Sequence, residues 1–452
     1  MASAEVSAGD RVDTRFGPGS VLRATNAGAM VMLDKLPGTP VEVLSADLSL
    51  IAAASNSPER RPERVPRPAR AIPHGAGAAR RSIEALRFGV VPNESIPEIT
   101  VGYDELKGWV EEQLPHVHKE GARVSEVCGS FGSGKSHTMA AIRETSVSLG
   151  YVTCHVEVNG VDVSLSDPEG VLRQLWPTAR GTELESAIPL LDLNLQAIAN
   201  GSYAMNTALA DYPRVASNLK TIASLKRLNC LDDNAEDIED FVTCGDAFTA
   251  TDLQRQLYAS IKRRDGHWST DHVAIKRLIG QPLNTRSRDF VDCLLGYALV
   301  ARRAGFKGLV VTIDEFEVEY SLTQPKMERV EWLIDALVAG LSKAEVPLAV
   351  FIATVGQEGQ SSDATVDTIV SATSGSIYDL PQWTRESMKE LARRIHALYC
   401  SAYGLSDAFD AQMSRQVERT LDGNDVEASG LVRAFIKRYV AMLDLHYSPA
   451  VA

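Results

Sequence analysis

The chain has 452 residues, 44% hydrophobic and 23% charged, with a formal net charge of −13. That length admits two or three domains around real cores, and the acidic sum excludes a protein that coats nucleic acid over its whole surface while leaving room for a local basic patch. No stretch approaches the roughly 20 apolar residues of a membrane span and the start, MASAEVSAGDRVD, lacks the apolar core of a signal peptide, so a cytoplasmic protein without a membrane segment is expected.

Within residues 1–51, the runs GDRVDTRFGPGSVLRA, AMVMLDKL and TPVEVLSADLSLI alternate with the turns FGPG, NAG and LPGTP. They predict a small all-β module, an SH3-like or Tudor-like barrel. Its opening, GDRVDTRFGPGSV, resembles barrels of the CarD-like type. Residues 52–79 are rich in Pro, Ala and Arg without periodicity, as in an extended linker. Seven Arg face two Glu between Ser57 and Arg81, among them Arg60, Arg61, Arg64, Arg67 and Arg70. Such a chain can follow a phosphate backbone, so module and linker are expected to bind double-stranded DNA weakly and in a salt-dependent way. A tether whose arginines keep it soluble or pair with the acidic body, and a barrel that docks a protein, are the alternatives.

From Arg80 the pattern is globular. RRSIEALRFGVVP is an amphipathic helix closed by Gly89 and Pro92, and YDELKGWVEEQLPHV is a second helix with Leu106, Trp109, Val110 and Leu114 on one face. RVSEVCG is a strand that runs into a glycine loop, MAAIRETSVSLG is a helix ending at Gly150, and YVTCHVEV is the next strand. Strand, loop, helix and strand make a βαβ unit and hence a parallel sheet. Residues 167–300 are expected as a mainly helical insertion, with the acidic run 231–240 a solvated loop. FKGLVVTIDEFE and VPLAVFIATVG are buried strands flanking the helix KMERVEWLIDALVAGL, which completes a parallel-sheet core over residues 80–380. TRESMKELARRIHALYCSAYG and SGLVRAFIKRYVAMLDL are amphipathic helices of a C-terminal lid, 381–452. The six cysteines (Cys128, Cys154, Cys230, Cys244, Cys293, Cys400) form no CxxC pair and read as buried thiols of a reducing compartment.

The glycine loop carries the chemistry. Gly129, Ser130, Phe131, Gly132, Ser133, Gly134, Lys135 and Ser136 match the P-loop pattern, with His137 directly after. Glycines let successive N–H groups converge on phosphate oxygens, and the following helix aims its positive end at the same place. Lys135 is expected at the β- and γ-phosphates, and Ser136 on Mg²⁺. Asp314 and Glu315 end the apolar run Leu309–Ile313, at the sheet edge where open α/β folds bind ligands. There Asp314 would hold Mg²⁺ through water and Glu315 would polarise the attacking water. Thr354 follows the next apolar run and is expected beside Asp314, near the γ-phosphate, or as a mere strand cap. Arg433 opens the last helix, off its apolar face, and could reach the nucleotide or stay solvated. The kinesin segments N-x-x-S-S-R and D-x-x-G-x-E are absent. The Glu beside Asp314 argues against a small-molecule kinase, which must avoid activating water.

Together RRSIEALRFGVVP, GSFGSGKSH, VTIDEFE and LVRAFIKRYV resemble the ATP-binding proteins of BREX-type phage-defence loci, the BrxD-like family of AAA+-type ATPases related to the origin-recognition group. The resemblance implies the roles above for Lys135, Ser136, Asp314 and Glu315, a sensor-1 role for Thr354 and a sensor-2 role for Arg433. It implies ATP with Mg²⁺, and work on phage DNA beside a helicase or other defence proteins. Arg302, Arg329 and Arg385 all remain open as the arginine finger that a homo-oligomer would need. An ATPase, a nucleotide-gated scaffold that holds ATP and recruits an effector, and a DNA-binding adaptor are the three functions to separate.

Overall fold

The computed structural model describes the strands between residues 11 and 52, then residues 76–158, 163–182, 184, 189–200, 209, 211–227, 231, 238, 287–316, 323–356, 364–406, 408–421 and 431–451. The chain divides into two units, Met1–Ala71 and Ile72–Ala452.

In the first unit, β1 (Arg11–Thr14), β2 (Gly17–Thr25), β3 (Gly28–Leu33), β4 (Pro40–Leu44) and β5 (Leu48–Ala52) form one antiparallel sheet in the order β4-β3-β2-β1-β5. Val21 lies opposite Val31, and both are buried with Val12. The expected all-β module is therefore a five-stranded sheet. Among the described residues no ladder joins β4 to β5, so the barrel closure expected from the sequence is not part of it. The five linker arginines from Arg60 to Arg70 lie outside the described residues.

The second unit is built on a parallel sheet of β6 (Arg123–Gly129), β7 (Val152–Glu157), β8 (Leu309–Asp314), β9 (Leu348–Val355) and β10 (Ile377–Asp379), ordered β10-β6-β9-β8-β7. The central strands read as continuous apolar runs because both faces are covered. One face carries Val127, Val310, Ala349, Phe351 and Ala353 beneath α3 (Tyr103–Glu120) and α4 (Lys135–Ser148). The other carries Val124, Cys154, Val311, Ile313, Val350 and Ile352 against the insertion that separates β7 from β8. Its described parts are helical, as expected: α5 (Pro168–Leu175), α6 (Pro189–Ala199), α7 (Pro213–Arg227) and α8 (Ser287–Ala304). Trp176 and Tyr297 anchor it with ring centroids 4.7 Å apart. Of the acidic run, only Leu231 and Ile238 fall within the described residues. After β8 come α9 (Gln324–Leu341) and α10 (Ala364–Ala372).

A third core lies away from the sheet. α11 (Arg385–Tyr403), α12 (Ala411–Leu421) and α13 (Leu431–Val451) pack together through Met388, Ile395, Val417, Phe435 and Tyr439. The helix α1 (Ala76–Phe88) joins them through Ala79, Ile83 and Leu86. It begins four residues before the expected boundary at Arg80. Arg87 clasps Asp444 of α13 with two hydrogen bonds, 2.9 and 2.7 Å, and Tyr399 donates to the same carboxylate at 2.9 Å. Gly89, at φ +71°, then breaks the helix, and the chain returns to the sheet through the short α2 (Ile96–Ile99). Cys128, Cys154, Cys293 and Cys400 are buried, and among the described residues none of them forms a disulfide, while Cys230 and Cys244 lie outside the described residues.

Candidate nucleotide site

Because all five strands run in parallel, Gly129, Asp314 and Val355 finish at one edge of the sheet. β6 delivers the loop and α4 starts at its far end, with Gly134 as the residue before the first turn. Two glycines there hold left-handed backbone, Gly132 at φ +80° and Gly134 at φ +109°. At Gly134 no atom lies within 4 Å of where a Cβ would stand, so the backbone faces an open cradle. At Gly129 space decides instead, since a Cβ would stand 2.6 Å from Ser133 Oγ. Lys135 is buried, and its Nζ donates to the Gly129 and Ser130 carbonyls at 3.3 Å each. Ser136 is exposed in the first turn of α4. Phe131, 69% exposed, stands at the loop's tip. His137 points instead toward α2, its Nε2 2.8 Å from Thr100 Oγ1, and burial pushes its imidazole down to about 4.

Asp314 is buried at the end of β8 and accepts the Glu315 N–H at 3.0 Å. Glu315 has φ +58°, a left-handed conformation that a non-glycine residue rarely holds. Strain of that kind concentrates at functional positions.

The register places Thr354 differently from the sequence expectation. Ile313 pairs with Ile352, so Thr354, two residues on, shares their face of the sheet, while Asp314 turns to the other. Thr354 is buried and donates its hydroxyl to Glu126 of β6, which is fully buried. It is therefore not beside Asp314. Arg433 is exposed on α13 and packs along Gly89, its Cγ 3.0 Å from where a Cβ there would stand. Arg302, Arg329 and Arg385 are exposed on α8, α9 and α11 respectively.

One contact at the loop was not foreseen. Trp383, just before α11, donates its indole N–H to the Ser133 carbonyl at 2.8 Å, and Leu380 N–H reaches Cys128 O at 2.8 Å. Thus the entrance to the helical cluster is fastened to the phosphate loop. The local signal was a Trp directly before a helix start, where Thr384 and Ser387 cap each other.

The profile of the BREX system ATP-binding protein BrxC/D family matches residues 77–352, more than half of the chain. This chain belongs to that family. No curated protein matches it. Among solved structures, a chain of the E. coli MS115-1 HORMA:CdnC:Trip13 complex is 14% identical, with 57% of this chain and 88% of that chain covered and a TM-score of 0.25. A likeness at that score carries no weight for fold or function. In this BrxC/D protein the family match contains the glycine loop, Asp314 and Glu315, and it stops two residues short of Thr354. ATP binding is thus a property of the family, and among the described residues no helix is long and apolar enough to cross a membrane.

Proposed function

We propose that this BrxC/D protein is a cytoplasmic, Mg²⁺-dependent AAA+-type ATPase that acts with DNA and a helicase partner of its defence system. The observation that carries the reading is the meeting of two features at one sheet edge: the cradle of Gly129–Ser136, with Lys135 at its base, and the paired carboxylates Asp314 and Glu315. The sheet order and the open space at Gly134 support a phosphate chain laid along the first turn of α4. Lys135 would turn from the loop carbonyls to the β- and γ-phosphates.

Ser136 and Asp314 offer a hydroxyl and a carboxylate, the hard oxygen donors that Mg²⁺ takes beside substrate phosphates. The ion, when bound, supplies neutralising charge on those phosphates. Glu315 orients and polarises the attacking water, with its left-handed backbone fixing where the carboxylate stands. Thr354 contributes through Glu126, tying β9 to the loop strand. Arg433 approaches from the helical cluster as a sensor of bound nucleotide.

Phosphate release by the purified protein with Mg·ATP tests the reading. Wild type is expected to turn over, and Glu315→Gln to retain ATP while losing about 10²–10⁴-fold in rate, the usual worth of a general base. Tight ATP binding without release by wild type would instead support the scaffold that holds ATP and recruits an effector.

A further inference from the structure

A second cluster of charge sits on the same sheet face but away from the glycine loop. Arg143 lies eight residues past Lys135, about 12 Å further along α4. Arg180 comes from the segment after α5, where its backbone pairs with Thr153 through two hydrogen bonds of 2.8 Å. Residues paired in that way project their side chains on one face of the sheet, and α4 covers this one. Arg143, Arg180, Thr153 and Asn93 line a common cleft, with Glu144 at its exposed rim.

Three observations point to an oxyanion as the ligand of this cleft. Among the described residues neither arginine forms an ion pair, although surface arginines here commonly do, as Arg81 does with Glu94 at 2.8 Å. The Thr153 hydroxyl is completely buried and lacks a hydrogen-bond partner, a cost that native cores normally avoid. The Arg143 guanidinium is secured only by a long hydrogen bond to Thr312 Oγ1, 3.4 Å, a hydroxyl that also lies 2.9 Å from His155 Nδ1. Burial, and then the neighbouring Arg180, push Arg143 down to about 10, with Asp314 opposing. His155 is pushed down to about 4, chiefly by burial and then by Arg143, and is neutral. Two cations are thus held close together, with Glu144 the only carboxylate on the cleft among the described residues and Asp314 at longer range.

We propose that the cleft between α4 and the Thr153–Arg180 pair is a second phosphate-binding site, distinct from the glycine loop, in which Arg143 and Arg180 grip the oxygens of one phosphate group and Thr153 donates its hydroxyl. Arginine forks match phosphate geometry. The group is either inorganic phosphate or one phosphate of a nucleic-acid backbone, and the two sources are separable.

The test uses full-length Lys135→Ala protein, in which the glycine loop is disabled, titrated with inorganic phosphate by calorimetry. One saturable site is expected, weakened by at least about tenfold in Lys135→Ala/Arg180→Gln, the worth of a charge-assisted hydrogen bond. Arg180 is exposed, so its loss spares the fold, and Arg143→Gln gives an independent second variant. A short DNA duplex that competes with phosphate, and does so only when Arg180 is present, assigns the site to a nucleic-acid backbone. Phosphate binding without such competition assigns it to the free anion. Absence of saturable binding of either probe, or binding indifferent to both arginine substitutions, overturns the site.

Discussion

Thr354 donates its hydroxyl to the fully buried carboxylate of Glu126, linking the end of β9 to the strand that feeds the phosphate loop, on the sheet face opposite Asp314. Both groups are buried, so removing one partner strands the other. Thr354→Val keeps the shape and deletes the donor. Urea unfolding should show a loss of about 1–3 kcal/mol. A double-mutant cycle with Glu126→Gln should give a coupling of about 0.5–3 kcal/mol. Additive effects would mean that the pair does not act as a unit.

Lys135→Ala should abolish ATP binding, since it removes a buried cation at the base of the cradle, and titration with a fluorescent ATP analogue reads it directly. Unchanged affinity would remove the nucleotide from this loop.

Glu315 offers a comparison that separates backbone from side chain. Both Glu315→Gly and Glu315→Ala delete the carboxylate, and both should lose turnover. Only glycine adopts φ +58° without steric cost. The glycine variant should therefore be more stable than the alanine variant by about 1 kcal/mol, visible in thermal or urea melts. Equal stability would argue that the residue relaxes out of its left-handed conformation.

The two neutral histidines set a pH dependence. His137 and His155 are each pushed down to about 4, mainly by burial, against an unfolded value of about 6.5. Between those values the unfolded chain binds more protons than the folded one, so stability is full above about pH 6.5 and falls as the pH drops through the window. Melting temperature should decline from pH 7 to pH 5, and less steeply in His137→Gln/His155→Gln. An identical slope in that variant would assign the decline to other groups.

DNA binding by the N-terminal module and its arginines is tested by removing residues 1–71. The cut must precede α1, because a later start at Ser82 would delete Ala79, which packs in the helical cluster, and Arg80, which donates to the Ala402 carbonyl in the last turn of α11. If all five linker arginines meet phosphates, log K against log salt should have a slope of roughly −4 to −5 for the full chain on duplex DNA. Equal affinity of both proteins would leave partner docking as the role of this region.

The main sheet was legible because its strands are short apolar runs bounded by glycines and acids, and because a glycine loop between a strand and a helix has few other readings. β10 was not: in Ile377–Asp379 an exposed residue stands on either side of a half-buried Tyr378, and the strand character comes from pairing with β6. α12 did carry a signal, with Met413, Val417 and Leu421 four residues apart in an otherwise polar segment. Thr354 shows the limit most clearly. Its sequence gives the strand but not the register between β8 and β9, and a shift of one residue exchanges the faces. Trp383 required the tertiary fold, since nothing near it in the chain names Ser133 as its partner.

The membership of α1 in the C-terminal helical cluster gives that cluster two covalent leads. One runs from Gly89 into the sheet, and the other leaves Ala76 toward the N-terminal unit. Any load drawn through the N-terminal segment enters the second unit at α1, whose polar anchors in chain order include the Arg80 hydrogen bond to the Ala402 carbonyl and then the Arg87–Asp444 clasp. From there it can reach the phosphate loop through Trp383 before it crosses the sheet. A pull at the chain's beginning thus has a path to the glycine loop by way of its C-terminal helices.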